Sequence, residues 1–194
     1  MFTGIIESMG QVRRKGKHSL TIKAPQILPE LSIGSSIAVD GVCLTVTKKG
    51  RDEFEADVMP ITLERTTLGG RQAEDFVNLE LAMLGSKRFE GHIVGGHVEG
   101  VAELTEMKIV DNAYHLKFRV PEGLERYIVP TGSIAVNGIS LTVIEVSDDE
   151  FMVGIIPHTW ENTNMHTLKI GDKVNIETDI MAKYAEKLGL SGKD

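Results

Sequence analysis

The stretch SIAVDGVCLTV at residues 36–46 returns as SIAVNGISLTV at 133–143, with eight of eleven positions identical. One of the changes exchanges a thiol, Cys43, for a hydroxyl, Ser140. The echo extends outward at the same offset of 97: DVMPITLERTTL at 57–68 faces GIIPHTWENTNM at 154–165, and VNLE at 77–80 faces VNIE at 174–177. The two beginnings match at an offset of 92, GIIESMGQV at 4–12 against GHVEGVAEL at 96–104, so the first hairpin is expected to be five residues longer in the second copy. An internal repeat of this length signals two copies of one folding unit. The domains are expected at 1–88 and 89–179, with the seam near Lys87–Gly91 and a helix at 180–190 after both.

Within each copy the apolar period is mostly two. Short candidates such as SLTIKAP, CLTVTKKG and EFEADVM are separated by Gly, Asp and Pro turns. About six short strands without crossover helices must hide two sheet edges, and a small closed barrel does so. The fold class is therefore all-β, two tandem six-stranded barrels. TLERTTL and TWENTNM each read as a single turn of helix across a barrel end, with Thr62 and Thr159 as caps. The last segment reads as a true helix: Asp179 caps IMAKYAEKL, and Ile180, Tyr184 and Leu188 recur on one side. That stripe packs either on its own barrel or on the same helix of other subunits, and residues 191–194 read as a frayed tail.

Composition narrows the function. The net charge of −7, with RRKGK at 13–17 as the one short basic run, argues against a nucleic-acid grip, which needs a basic footprint. A single cysteine excludes an intrachain disulfide and a multi-cysteine zinc site, and suits a reducing compartment. With no apolar run of membrane-spanning length and no leader, a cytoplasmic protein is expected. No phosphate loop, HExxH or dinucleotide fingerprint is present, so neither metal nor cofactor is expected.

Candidate chemistry clusters at the repeated stretch. Asp40-Gly41 and Asn137-Gly138 are favoured hairpin-turn pairs, which places Cys43 and Ser140 just past tight turns. Strand alternation sets Cys43 with Thr45, and Ser140 with Thr142, on one face of each copy. A small residue in a crowded strand and a catalytic residue both fit Cys43. His97 opens the second copy where Ile5 opens the first, which gives one half a proton-transfer group; a structural histidine is the other reading. His92, five residues earlier, would face the opposite way on a continuous strand, which argues against a shared metal.

Taken in order, MFTGIIE, the paired SIAVDGVCLTV and SIAVNGISLTV, GGHVEG, IIPHT and VNIETD resemble riboflavin synthase of the alpha-subunit type, over residues 1 to about 187. The resemblance implies two Greek-key barrels, a C-terminal helix that gathers three subunits, and a cofactor-free dismutation of two 6,7-dimethyl-8-ribityllumazine molecules. One molecule passes a four-carbon unit to the other, giving riboflavin and 5-amino-6-ribitylamino-2,4(1H,3H)-pyrimidinedione. Two similar pockets with different polar groups suit one substrate in two roles.

The resemblance also implies where the ligands lie, between the first barrel of one subunit and the second barrel of its neighbour. On the first side it places Gly4, Ile5 and Ile6, then Cys43, Leu44 and Thr45, with Asp57, Val58, Met59, Pro60, Ile61 and Thr62 as a rim. On the second it places Gly96, His97 and Val98, then Ser140, Leu141 and Thr142, with Gly154, Ile155, Ile156, Pro157, His158 and Thr159. Phe2 and Thr3 lie beside the first ligand, and Asp179 matches an acid near the site. The catalytic candidates are Cys43, His97, Ser140 and Asp179, with His97 and Ser140 moving protons on the second-barrel side. Three positions depart from the family pattern: Gly95 stands where Ser is usual, Ile61 where Glu is usual, and Thr131, at a ligand-contacting position, where Lys is common. Some relatives dock inside a lumazine synthase shell. A non-catalytic binder of lumazine or flavin is the alternative function, and no membrane or nucleic-acid partner is expected.

Overall fold

The computed structural model describes residues 1–86 and 88–189; Lys87 at the expected seam, and Leu190 with the 191–194 tail, lie outside the described residues. The first copy contains β1 (Ser8–Lys15), β2 (Ser19–Lys23), β3 (Ser36–Val39), β4 (Val42–Lys49), β5 (Glu53–Asp57), α1 (Pro60–Arg65) and β6 (Phe76–Leu81). The second contains β7 (Gly100–Val110), β8 (Ala113–Arg119), β9 (Ser133–Val136), β10 (Ile139–Val146), β11 (Glu150–Ile155), α2 (Pro157–Asn162) and β12 (Lys173–Thr178), followed by α3 (Ile180–Lys187). The strands close into two barrels of one topology, β1-β2-β5-β4-β3-β6 and β7-β8-β11-β10-β9-β12, all neighbours antiparallel. Closure removes the free edges that so short a set of strands would otherwise expose.

Alternation decides which residues form each core. Along β4, Val42, Leu44 and Val46 are buried while Cys43, Thr45 and Thr47 are not, and β10 repeats this with Ile139, Leu141 and Val143 inward. Phe54 and Phe151 occupy equivalent places in the two cores, and each is 1% exposed. Truncating either to Ala would cost about 3–5 kcal/mol, the transfer and cavity loss usual for a buried aromatic ring.

The first hairpin corrects the sequence expectation in detail. Val12 pairs with Ile22, and its counterpart Leu104 pairs with Phe118, so the second hairpin is four residues longer rather than five. The remaining residue falls in the connection to β9. Thr62 and Thr159 are not caps either. Each short helix starts with a proline behind Met59 or Ile156, and no side chain caps it. The capping hydroxyls belong to Thr66 and Thr163, which accept from the amides of Leu68 and Met165 in the following 3-10 turns. A proline at the first helical position removes one orphan amide and makes a cap there less needed.

The two barrels meet back to back through the repeated turns. Asp40 and Gly41 have φ of 47 and 79°, Asn137 and Gly138 have 46 and 79°, the double left-handed geometry that lets a two-residue turn follow strand twist. The side chains around these turns are bonded across the interface. Asn78 donates to the Asn137 carbonyl at 3.0 Å, and Asn175 to that of Asp40 at 2.9 Å. Asn164 bridges to Asn78 and Asp40. Arg71 reaches the fully buried Asp40 at 2.7 Å. Burial pushes the Asp40 carboxyl up from its ordinary value, against the pull of Arg71 and the amide of Asn78.

Helix α3 is capped as expected, Asp179 accepting from the Met181 amide at 2.9 Å, and ends at Lys187, short of the expected 190. Its polar residues hold its own barrel, Lys183 to Glu99 at 2.8 Å and Glu186 to Arg126 at 3.1 Å, with Tyr127 also donating to Glu186. Tyr184 and Leu188 remain 58% and 72% exposed.

Candidate functional site

The segments that precede each barrel exchange places. The amide of Ser140 in the second barrel donates to the Gly4 carbonyl at 2.8 Å, and that of Cys43 in the first barrel to the Gly96 carbonyl at 2.9 Å. Two buried glutamates clamp these arms. Glu80 accepts from the amides of Thr3 and Gly4 and the Thr3 hydroxyl, and Glu177 from the amides of Gly95, Gly96 and His97. This is what the E of VNLE and VNIE does. Gly4 and Gly96 have φ near +80°, and a Cβ on either would stand within 2.6 Å of Ser140 or Cys43. Only glycine allows the arm so close to the nucleophile-bearing strand.

The exchange overturns the expected partition of the site. Gly4, Ile5 and Ile6 accompany the Ser140 side, with Ile6 packed on the second core, whereas Gly96, His97 and Val98 accompany the Cys43 side, with Val98 packed on the first. His97 is therefore a neighbour of Cys43 on the first barrel and not of Ser140. The strands of the two barrels fall on either side of residues 82–99, and each arm packs on the barrel whose strands it does not directly precede.

Around Cys43 the predicted residues converge. A cavity of about 520 Å³ on the outer wall of the first barrel is lined by Cys43, Leu44, Thr45, Asp57, Val58, Met59 and Thr62, together with His18 and Thr47. An adjoining cavity of about 230 Å³ is lined by Cys43, Ile61, Thr62, Gly96, His97 and Val98, among others. The side chains of Leu44 and Val58 point into the core, so these residues offer the cavity mainly backbone. Pro60 opens α1 at the cavity edge.

Around Ser140 the structure adds a residue that the sequence reading weighed only as a metal ligand. His92 Nδ1 lies 2.7 Å from Ser140 Oγ, and the His92 amide donates to the Thr3 carbonyl at 3.1 Å. His92 reaches Ser140 because residues 91–98 are not a continuous strand: Gly91 and Gly96 have φ of 75 and 81° and turn the chain. Flanking glycines were the signal for this. Burial lowers the His92 pKa from 6.5, opposed by the negative charge of Asp179. At neutral pH the imidazole is thus uncharged and can accept a proton from the hydroxyl. Among the described residues its Nε2 is buried without a protein partner.

The remaining predicted residues on this side lie on the same outer face. Thr142 is exposed beyond Ser140, Leu141 and Ile155 are buried in the core, and Gly154, Ile156, Pro157, His158 and Thr159 run along the wall into α2. Phe2 is fully buried with Val94, Ala38 and Ala135 between the barrels, where it anchors the arm. Ile5, 42% exposed, lines a separate cavity of about 210 Å³ with Thr3 and Glu80. Thr131 stands apart, with its hydroxyl turned to the Pro130 carbonyl and φ of 64° at a place where the first copy has Gly34.

Comparison with known proteins agrees with this architecture. The family model for the lumazine binding domain matches twice, at residues 3–82 and 95–179. The chain is 46% identical to riboflavin synthase of Actinobacillus pleuropneumoniae over 191 residues, covering 96% of this chain and 89% of that one. It is 43% identical to riboflavin synthase of Bacillus subtilis over 188 residues, 95% and 87% of the two chains. Among solved structures, LumP complexed with riboflavin superposes with a TM-score of 0.85 at 26% identity, covering 92% of this chain and 99% of that one. LumP complexed with 6,7-dimethyl-8-(1'-D-ribityl) lumazine gives 0.82 at 27%, with the same coverage. A doubled lumazine-binding barrel with this arm exchange, matched end to end by such relatives, leaves one assignment: the chain belongs to the riboflavin synthase and lumazine-binding protein family.

Proposed function

We propose that this protein is a riboflavin synthase, converting two molecules of 6,7-dimethyl-8-ribityllumazine into riboflavin and 5-amino-6-ribitylamino-2,4(1H,3H)-pyrimidinedione by transfer of a four-carbon unit. The observation that carries the reading is the unequal pair of nucleophile sites on equivalent strands, Cys43 beside His97 and Ser140 bonded to His92. One substrate in two chemical roles calls for two alike but inequivalent pockets.

Ser140 and His92 remove the proton from the C7 methyl of the lumazine on the second barrel, the neutral imidazole accepting through the hydroxyl. Asp179 steadies the imidazolium that results, consistent with its raising effect on the His92 pKa. Backbone amides and hydroxyls at the pocket rims face the ring carbonyls, where the charge of the carbanion spreads. Cys43 and His97 act on the partner lumazine, by orienting water or by transient addition. Holding two rings face to face supplies several kcal/mol by removing a bimolecular entropy cost, about 7–11 kcal/mol at its upper range.

The reacting pair lies between the first barrel of one subunit and the second barrel of another, in a cytoplasmic homotrimer gathered by α3. The exposed stripe of Tyr184 and Leu188 supports this reading, because the polar face of α3 is already engaged by its own barrel.

Incubating the purified protein with 6,7-dimethyl-8-ribityllumazine alone, and following products by chromatography, tests the assignment. Riboflavin and the pyrimidinedione are expected in equal amounts. Tight binding without turnover would replace it by the reading of a non-catalytic lumazine binder.

A further inference from the structure

The repeat keeps one carboxylate in both copies, and in the second copy that carboxylate holds a lysine of α3. Glu7 and Glu99 are counterparts in the two arms, as are Leu81 and Thr178 at the ends of β6 and β12. Glu7 accepts from the Leu81 amide at 3.1 Å and Glu99 from the Thr178 amide at 2.8 Å, so this backbone tie is common to both. The same Glu99 oxygen also accepts from the Thr178 hydroxyl at 2.7 Å and meets Lys183 at 2.8 Å. Lys183 closes the ring by donating to the Thr178 carbonyl at 3.3 Å. The residue that follows differs too: Ala82 in the first copy, Asp179 in the second.

Lys183 stands four residues after Asp179. An acid followed by a lysine at that spacing is the favoured helical ion pair, because the two side chains lie on adjoining turns of one face. Among the described residues, however, Lys183 pairs with Glu99 and not with Asp179, whose carboxylate accepts from the Met181 amide at 2.9 Å. The Glu99 pair is fixed from both ends, since Thr178 donates to the carboxylate and accepts from the ammonium. Only 25% of the Lys183 side chain and 22% of that of Glu99 is exposed, so water and salt screen this pair less than one at the surface.

We propose that Glu99 is a positioning residue that draws Lys183 away from Asp179 and so leaves the Asp179 charge to act on His92 beside Ser140. This rests on the assignment of His92 and Asp179 to the proton transfer. The negative charge of Asp179 raises the basicity of His92 against the effect of burial. A lysine paired with Asp179 would cancel that field and leave the imidazole a weaker base. Glu99 touches neither His92 nor Ser140 in this arrangement and acts through the lysine it removes. The first copy, with Ala82 in place of the acid, keeps only the backbone tie that the two carboxylates share.

The test uses the full chain, read by turnover of 6,7-dimethyl-8-ribityllumazine and by NMR titration of the His92 imidazole without substrate. Glu99→Gln keeps an acceptor for Thr178 and loses the charge that holds Lys183. It is expected to lower kcat about tenfold with KM within about twofold, and to move the His92 midpoint lower. Lys183→Met alone is expected to change kcat less than about twofold, and adding it to Glu99→Gln should recover most of the loss in both readouts. A structural tie predicts no such recovery, because the double variant has lost both partners. A double variant no better than Glu99→Gln, or a loss confined to thermal stability, overturns the proposal. Should Glu99→Gln not fold, Lys183→Met decides: an unchanged His92 midpoint supports the proposal, and a clear rise, showing Lys183 already at work on Asp179 in the parent, overturns it. A parent chain without turnover brings down the functional assignment instead, and the His92 midpoints still test the charge relation.

Discussion

The amide nitrogen of Gly138 lies 2.8 Å from where a Cβ on Gly41 would stand, and the amide of Gly41 lies 2.7 Å from where one on Gly138 would stand. The two turns that carry the nucleophile strands thus define the contact between the barrels. Gly41→Ala meets both backbone crowding and a left-handed φ. It is expected to lower unfolding free energy by about 2–4 kcal/mol, read from denaturant midpoints, with Gly138→Ala equivalent.

Asp40 and Arg71 form a charge pair in the first copy where the second has Asn137 and Leu168. Arg71→Leu alone leaves a fully buried carboxylate without its cation and is expected to cost about 3–5 kcal/mol. Asp40→Asn with Arg71→Leu recreates the second copy's pair, and most of that stability should return. A double-mutant cycle measures the difference.

His92 has a pKa held below 6.5 by burial. Between the folded value and 6.5 the unfolded chain binds more protons, so this group makes stability rise with pH in that window and fall as pH drops through it. The acid limb of the turnover profile should lie below 6.5. Asp179→Asn removes the charge that raises the pKa and should move the limb lower still, whereas a merely capping Asp179 would leave it in place.

Glu177 is the acceptor for three consecutive amides of the arm beside Cys43. Glu177→Ala is expected to speed hydrogen exchange at Gly95, Gly96 and His97 and to leave the amides of Thr3 and Gly4, held by Glu80, unchanged. Turnover should fall with it, because Cys43 and His97 lose their fixed separation.

A chain ending after Asp179 removes the exposed Tyr184 and Leu188 together with the ties from Lys183 and Glu186. Sedimentation velocity is expected to show monomers in place of the proposed trimer. An unchanged assembly would place the subunit contact elsewhere.

Much of the fold was legible because its determinants are local. Period-two burial, the Asp-Gly and Asn-Gly turns and the helix cap at Asp179 each depend on neighbours in sequence, and the duplication gave the burial pattern and the turn twice. Cys43, Thr45 and Asp57 could be placed together for the same reason: they lie on adjacent antiparallel strands whose register the turns set, and Thr62 follows in the helix just after β5.

Tertiary structure alone decided which arm serves which barrel. Sequence adjacency puts Gly4 before the first barrel and Gly96 before the second, but the choice rests on glutamates more than seventy residues away and on close packing that only glycine permits. The same exchange brought His92 to Ser140 and His97 to Cys43. The sequence determined two barrels, two nucleophile sites and the residues at their walls, because local spacing encodes them. The pairing of His92 with Ser140 and of His97 with Cys43 came from contacts between the copies, which a nearly symmetric repeat leaves undecided until the chain is folded.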